Sequence, residues 1–323
     1  WYHPHYATHQ QVERGLYGVM VIHEAAELAY DVERIVFLDD VALMENGGLV
    51  PFSMSHMVRM HGRFGNTLLL NGKAVAGDEL LQLRRGSVER WRILNSANAR
   101  TANIDLTGAA WRVIGWDGGI IPKPYTTKML RIAPGERYDI EVTWAPESQG
   151  DVGELRFYVP VAVGGGVELQ PLTVTTLMST GEPALEDRVV DLPEVALPDW
   201  SGDTATLTMD LEGFNVGGQI QWTVNGKTFA DADPIIIERD ALHIIDIVNK
   251  QTQEHPFHIH GHYFRVLSRN GTPEPHDGLK DTVYIGGEET VRLAMVFDNP
   301  GGWMAHCHIL EHAELGMMSL FEV

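Results

Sequence analysis

The 323 residues predict an all-β chain built of tandem Greek-key sandwich domains, and three observations carry that expectation. Short alternating or apolar runs recur between Gly, Asn, Asp and Pro: LLLNG at 68–72, RWRILNS at 90–96, YDIEVTW at 138–144, LRFYVPV at 155–161, IQWTVNG at 220–226 and HIIDIVN at 243–249. Successive side chains of a strand face opposite ways, so each run offers one face to a sandwich core. Long helical periodicity is absent. Finally, the chain repeats itself at domain length.

The repeat sets the expected domain order. LLLNGKAV at 68–75 resembles WTVNGKTF at 222–229, so Asn71 precedes Asn225 by 154 residues, and Asn95 precedes Asn249 by the same 154. After a one-residue slip, Trp111-Arg112-Val113 matches Phe264-Arg265-Val266, and Asp105-Leu106-Thr107-Gly108 falls under His258-Ile259-His260-Gly261. One copy thus has Asp and Thr where the other has two histidines, and is expected to serve as a spacer without a metal of its own. A third copy survives as its end: Tyr2-His3-Pro4-His5 parallels Ala305-His306-Cys307-His308, and GLYGVMVI from Gly15 parallels GMMSLFEV from Gly316. Residues 1–30 are therefore expected to close a first domain whose beginning lies outside this sequence. Residues 31–180 form the second domain, 181–203 a proline-containing linker and 204–323 the third.

Composition narrows the function. Lys plus Arg number 24 against 44 Asp plus Glu, a formal charge of −20, and such a surface repels phosphate backbones. Nucleic acid is not an expected partner; a cation or a neutral organic molecule is easier to accommodate. No run of 18 apolar residues is present, so no membrane-spanning helix is expected. Trp1-Tyr2-His3-Pro4-His5 lacks the pattern of a signal peptide.

The chemistry sits in the histidines and in Cys307, the only cysteine. Eight of the 15 histidines fall in three clusters: His3 and His5; His255, His258 and His260; His306, His308 and His312. Strand parity sends His306 and His308 to one face and Cys307 to the other, and separates His255 from His258 and His260. If these strands are neighbours, one side gathers His255, Cys307 and, after a turn, His312 and Met317. Two imidazoles, a thiolate and a thioether fit a blue-copper electron-transfer site with a weak axial Met. The other side gathers His258, His260, His306 and His308, with His3 and His5 of the same kind. An all-imidazole group suits copper cycling between oxidation states, and Cys307 links both sites covalently through its neighbours. His9, His23, His56, His61, His243, His262 and His276 are expected to be surface or hydrogen-bonded residues, with His262 placed to line the edge of the second group.

HPFHIHG, HCHILEHAELGMM and WYHPH followed by GLYG resemble three signature motifs of the multicopper oxidases, and the resemblance covers nearly the entire chain. It is similar to bacterial three-domain members such as laccases and cuprous oxidases of the periplasm. The resemblance implies cupredoxin-type domains; a mononuclear (type 1) copper at His255, Cys307, His312 and Met317; a type 2 copper at His258; and a type 3 pair at His3, His5, His260, His306 and His308. The family's trinuclear cluster takes eight histidines, of which this chain supplies six, so the cluster is expected to be incomplete in this chain alone. The missing segment is expected on a separate or lost chain. Also implied are four one-electron oxidations of a small donor, passage of the electrons through Cys307 and reduction of dioxygen to two waters. A phenolic donor is expected first and Cu(I) second; a non-catalytic copper-binding cupredoxin protein is the alternative. The resemblance further implies a periplasmic or secreted protein. Relatives often carry an acid directly after the second mononuclear-site histidine; here Ala313 stands there, between Glu311 and Glu314 on either side of the His312–Ala313 pair, and no proton donor is assigned. Met44, Met54, Met57 and Met60, with His56 and His61, suit either one face of a short helix packed on the core or a soft lid for Cu(I). The packed face is the expected arrangement.

Overall fold

The asparagines that mark the repeat occupy equivalent places in two sandwiches. In the computed structural model, which describes residues 1–23, 28–145, 152–163 and 166–323, Asn71 and Asn225 start hairpin turns at φ 51° and 53°, and Gly72 and Gly226 follow at 75° and 73°. Two consecutive left-handed residues make the turn that matches strand twist, and Asn-Gly is the pair that adopts it at least cost. Each Asn side chain also accepts a backbone N–H, from Phe37 and Asp210, at 2.7 Å. Asn95 and Asn249 are buried and fully bonded: their amides donate to Ile132 O and Gly286 O at 2.8 Å, and their carbonyls accept from Ala97 N and Gln251 N at 3.1 and 2.9 Å.

The two sandwiches share a topology. In the first, a seven-stranded sheet runs Lys73–Ala74, Thr67–Leu70, Val32–Val41, Ser87–Asn95, Arg137–Trp144, Ala110–Trp116, Gly119–Tyr125. It faces a five-stranded sheet of Leu80–Leu83, Gly166–Ser179, Val152–Val163, Ala102–Thr107 and Leu130–Ile132. The second pairs a six-stranded sheet (Gln219–Val224, Leu207–Val216, Leu242–Asn249, Thr290–Val296, Arg265–Arg269, Thr272–Pro273) with a five-stranded one (Ile235–Ile236, Met318–Glu322, Gly302–Cys307, His255–Ile259, Thr282–Ile285). In both, the first long strand runs parallel to the strand ending in the buried Asn, with Leu38 beside Asn95 and Leu211 beside Asn249. Each has its own apolar core, around Trp91 and Trp144 in one and Trp222, Phe257, Phe264 and Phe321 in the other. Where the second sandwich has histidines, the first has Asp105 bound by Arg156 at 2.5 and 2.8 Å and by Tyr158 at 2.8 Å, so an ion pair fills that position.

The third copy is visible too. Tyr2 bridges Gly18 antiparallel, as Ala305 pairs with Ser319, and each pair encloses a short helix: α1 (Thr8–Glu13) and, at the chain's end, Leu310–Glu314. These two helices pack together. Residues 181–206 run as an extended strap. Leu185 N donates to Arg85 O at 2.7 Å, Val190 is buried, and Arg265 holds Pro198 O at 2.7 Å.

One difference between the sandwiches shapes the site. Leu38 pairs with Leu70 and Leu211 with Val224, so the first hairpin closes over 31 residues and the second over 12. The longer excursion carries α2 (His56–His61), capped by Ser55, whose hydroxyl accepts from Val58 N at 3.3 Å. It reaches across to the second sandwich, where Trp222 Nε1 donates to Arg59 O at 2.7 Å. Contrary to the packed face expected from the Met spacing, no α2 residue is buried and Met57 is 63% exposed. The helix is too short to bury a three-residue repeat once its carbonyl end is committed to Trp222. Among the described residues the helices are these three, α1, α2 and α3 (Leu310–Glu314).

Candidate metal centre

The strands His255–Ile259 and Gly302–Cys307 run antiparallel, with Phe257 opposite Cys307 and His258 opposite His306. That register turns parity into two sites. On one face, Cys307 Sγ lies 3.6 Å from His255 Nδ1 and 3.7 Å from His312 Nδ1, and the two nitrogens are 3.2 Å apart. All three residues are fully buried. The α3 turn carries His312 back to the strand, and Met317 follows through backbone bonds from its N to His312 O (3.0 Å) and from Cys307 N to its O (3.1 Å). His312 Nε2 donates to Met60 O at 3.2 Å, which leaves its Nδ1 a free lone pair. The Trp222 ring packs 4.2 Å from His312 and 5.0 Å from His255.

A metal fits these donors. The point equidistant from corners 3.2, 3.6 and 3.7 Å apart is about 2 Å from each, a metal–imidazole bond length. Burial drives His255 down to about 3, His312 well below the usual imidazole range, and the Cys307 thiol up. The pocket thus rejects charge on each ligand separately. A cation that displaces the thiol proton reverses that preference, because thiolate and metal neutralise one another.

On the other face six imidazoles converge. Ring centroids are 4.5 Å apart for His258 and His260, 4.8 Å for His5 and His260, 5.0 Å for His3 and His5, 5.4 Å for His3 and His308, and 5.8 Å for His306 and His308. Ligand nitrogens of His5, His260 and His306 all lie within 4.8 Å of one another. Backbone carbonyls select the tautomers: His258 Nδ1 donates to Asp281 O at 2.9 Å, His306 Nδ1 to Cys307 O at 2.9 Å and His3 Nδ1 to Pro4 O at 3.1 Å, leaving each Nε2 free to ligate. His308 Nδ1 is buried without a partner. Gly135, at φ 85°, makes room for His308, since a Cβ there would stand 2.7 Å from its ring.

A charged layer supports this second group. Arg137 grips both Asp281 oxygens at 2.5 and 2.6 Å. Burial opposes ionisation of Asp281, but the guanidinium and His258 hold it well below the usual carboxylate range. Lys280 lies 3.1 Å from Asp117 and 3.2 Å from Glu136. Arg137, Asp117 and Glu136 come from the first sandwich and Lys280 and Asp281 from the second, so the layer is also the seam between them. None of the five is marked by a motif, because the pairing is made across 144 residues or more.

Every histidine expected in the two sites is found in one of them. His262 instead bonds His260 O and Asn299 N, at 3.2 and 3.3 Å, and packs on Phe297. Of the flanking acids, Glu311 is fully buried, takes Asn98 Nδ2 at 2.9 Å and is pushed up to about 7 by burial, while Glu314 is partly exposed beside His9 at 3.4 Å.

These burials predict how the metal-free protein responds to acid. Burial pushes His3 down to about 4 and His260 down to about 3, against 6.5 for the free side chain. Below 6.5 the unfolded chain binds protons that the folded chain refuses, so stability falls as pH falls, by up to about 1.4 kcal/mol per unit for each such histidine. Urea unfolding at pH 7 and pH 5 is expected to show a steep loss for metal-free protein. Equal stability at both values would contradict neutral, buried imidazoles.

Family models described as multicopper oxidase match residues 45–154 and 203–323. A protein named multicopper oxidase mco from Staphylococcus epidermidis is 28% identical over all of this chain and 67% of its own length. A solved multi-copper oxidase from Pseudomonas thermotolerans superposes with a TM-score of 0.80 at 30% identity, over 99% of this chain and 75% of that one. One from Campylobacter jejuni, described as a metallo-oxidase, gives 0.79 at 26% identity, over 99% of this chain and 70% of that one.

Proposed function

Because the chain belongs to the multicopper oxidase family, whose members bind copper, we propose that, together with the two further cluster histidines its six are expected to need, it oxidises a small reducing donor in one-electron steps and reduces dioxygen by four electrons to water. The observation that supports this most is the placement of Cys307. Its sulfur converges with His255 and His312 on one face, while its neighbours His306 and His308 converge with His3, His5, His258 and His260 on the other. In this reading His255, Cys307, His312 and Met317 hold a mononuclear copper, His258 a type 2 copper, and His3, His5, His260, His306 and His308 a type 3 pair. Copper held there supplies a one-electron acceptor at the first site and an oxygen-reducing centre at the second. Cys307 joins them through one peptide bond on either side. His312 Nε2, committed to Met60 O, makes the carbonyl end of α2 the outer edge of the entry site. On this reading the protein works in the periplasm or is secreted, as the family resemblance implies.

Oxygen uptake coupled to donor oxidation tests the proposal. Four donor electrons are expected per dioxygen consumed, with no hydrogen peroxide accumulating; peroxide as the stoichiometric product would overturn it.

The position of α2 supports one donor class over the other. A laccase-like enzyme would take phenols against the exposed edge of His312, but that imidazole is fully buried here beneath α2. His56, Met57 and His61 are exposed on the covering helix, and thioether and imidazole are soft enough for a cuprous ion. This favours Cu(I) as substrate, with phenolic donors as the second reading. Changing Met54, Met57 and Met60 to Leu is expected to lower kcat/KM for Cu(I) at least about tenfold, about 1.4 kcal/mol of lost binding, and to leave a methoxyphenol unaffected. An equal loss for both donors would remove the Met segment as a substrate site.

A further inference from the structure

Trp1, Tyr17 and Asp39 form a line leading away from the six-histidine group that the reaction above does not use. The Trp1 indole stands 4.5 Å from the His3 ring and 5.4 Å from the His308 ring. The Tyr17 ring lies 6.1 Å beyond Trp1, edge-on at 75°. Tyr17 Oη donates to Asp39 Oδ2 at 2.5 Å, and both side chains line a surface recess of about 480 Å³ with Glu13, Arg14, Phe37 and Asn71.

A structural role accounts poorly for this arrangement. Asp39 is half-buried, yet among the described residues it accepts from the Tyr17 hydroxyl and from the Asp40 backbone N–H at 2.7 Å, and neither partner is a cation. Burial pushes its carboxyl up to about 7, which suits a group that takes a proton and gives it back near neutrality. Tryptophan and tyrosine are the aromatic side chains most easily oxidised, and a phenol loses an electron more readily when a base accepts its proton in the same step.

We infer that Trp1, Tyr17 and Asp39 are a protective relay that drains oxidising equivalents from the six-histidine site when reducing donor runs short. The inference rests on the oxygen-reducing role proposed for that site. One electron passes from Tyr17 through Trp1 to the site, where incompletely reduced dioxygen is the oxidant. The phenol O–H bond breaks and its proton moves to the Asp39 carboxylate, leaving a neutral tyrosyl radical and a carboxylic acid. A reductant at the recess returns the electron to Tyr17, and Asp39 returns the proton. Without the relay the same equivalents stay on the side chains beside the site, the Trp1 indole first among them.

The test is rapid freeze-quench electron paramagnetic resonance on the reduced, copper-loaded protein mixed with dioxygen and too little donor. A tyrosyl signal is expected in the parent protein, lost in Tyr17→Phe and weakened in Trp1→Phe. Both substitutions keep an aromatic ring in place, and oxygen uptake at saturating donor is expected to stay within about twofold in Tyr17→Phe. Peptide mass mapping after repeated turnover is expected to show oxygen-addition products at Trp1 rising at least about fivefold in Tyr17→Phe. If oxygen is consumed but the parent shows no tyrosyl signal, or the signal and the oxidation map survive in Tyr17→Phe, the relay is wrong while the oxidase proposal stands. If no donor supports oxygen consumption, both fall together.

Discussion

On the proposed copper assignment, a Cys307→Ser protein is expected to fold, to hold one copper fewer per molecule and to lack the blue absorption and oxygen uptake expected of the parent, uptake falling by about a thousandfold or more, about 4 kcal/mol of barrier. Serine fits the space and can accept the Ile309 N–H that now points at Sγ from 3.4 Å, so the strand and α3 keep their places. Chemistry is what changes. An alcohol does not ionise under an approaching copper as a thiol does, and its oxygen is a hard donor where the site needs a soft one. Copper analysis, absorption and oxygen uptake on one preparation check the expectation. Retention of colour or of uptake would mean that electrons enter elsewhere and that the pairing of Cys307 with His255 and His312 is structural.

Lys280→Met is expected to be the most destabilising single change at the seam, by about 3–5 kcal/mol at pH 8. Its ammonium is buried against Asp117 and Glu136, with the Trp116 and Tyr138 rings 5.2 and 4.9 Å away. Removing it leaves the Glu136 carboxylate buried without a cation and leaves Asp117 with Arg137, 3.4 Å away, as its remaining one. Burial already raises the Glu136 carboxyl despite the pull of Lys280; without that cation it rises further. The variant's folded state then binds protons that its unfolded state releases, so its deficit relative to the parent shrinks as pH falls. Urea unfolding of both proteins at pH 8 and pH 5 measures this. Adding Glu136→Gln is expected to recover part of the loss at pH 8. A deficit below about 1 kcal/mol, or one independent of pH, would show that the lysine is not holding the seam.

Much of the site was legible because strand geometry is local. Parity alone separates Cys307 from His306 and His308, and His255 from His258, and the register of two neighbouring strands then leaves no freedom. The Asn-Gly turns were legible for a similar reason: positive φ at two successive residues admits few side chains, so the pair marks the same hairpin in both copies. The replacement of two histidines by Asp105 and Thr107 was visible in the repeat. That Arg156 and Tyr158 compensate Asp105 was not, since they arrive from another strand.

Residue identity and period-two alternation therefore determined the sandwich class, the two candidate ligand groups and their division into two faces, because these depend on contacts within one strand or one turn. The charged seam, the cover over His312 and the line from Trp1 to Asp39 were decided by tertiary structure. Each joins elements far apart in the chain, and two of them work through backbone carbonyls or packing distances that carry no side-chain signature. The 31-residue excursion of the first hairpin comes from the strand register, and only packing shows that it ends over a site built by the other sandwich.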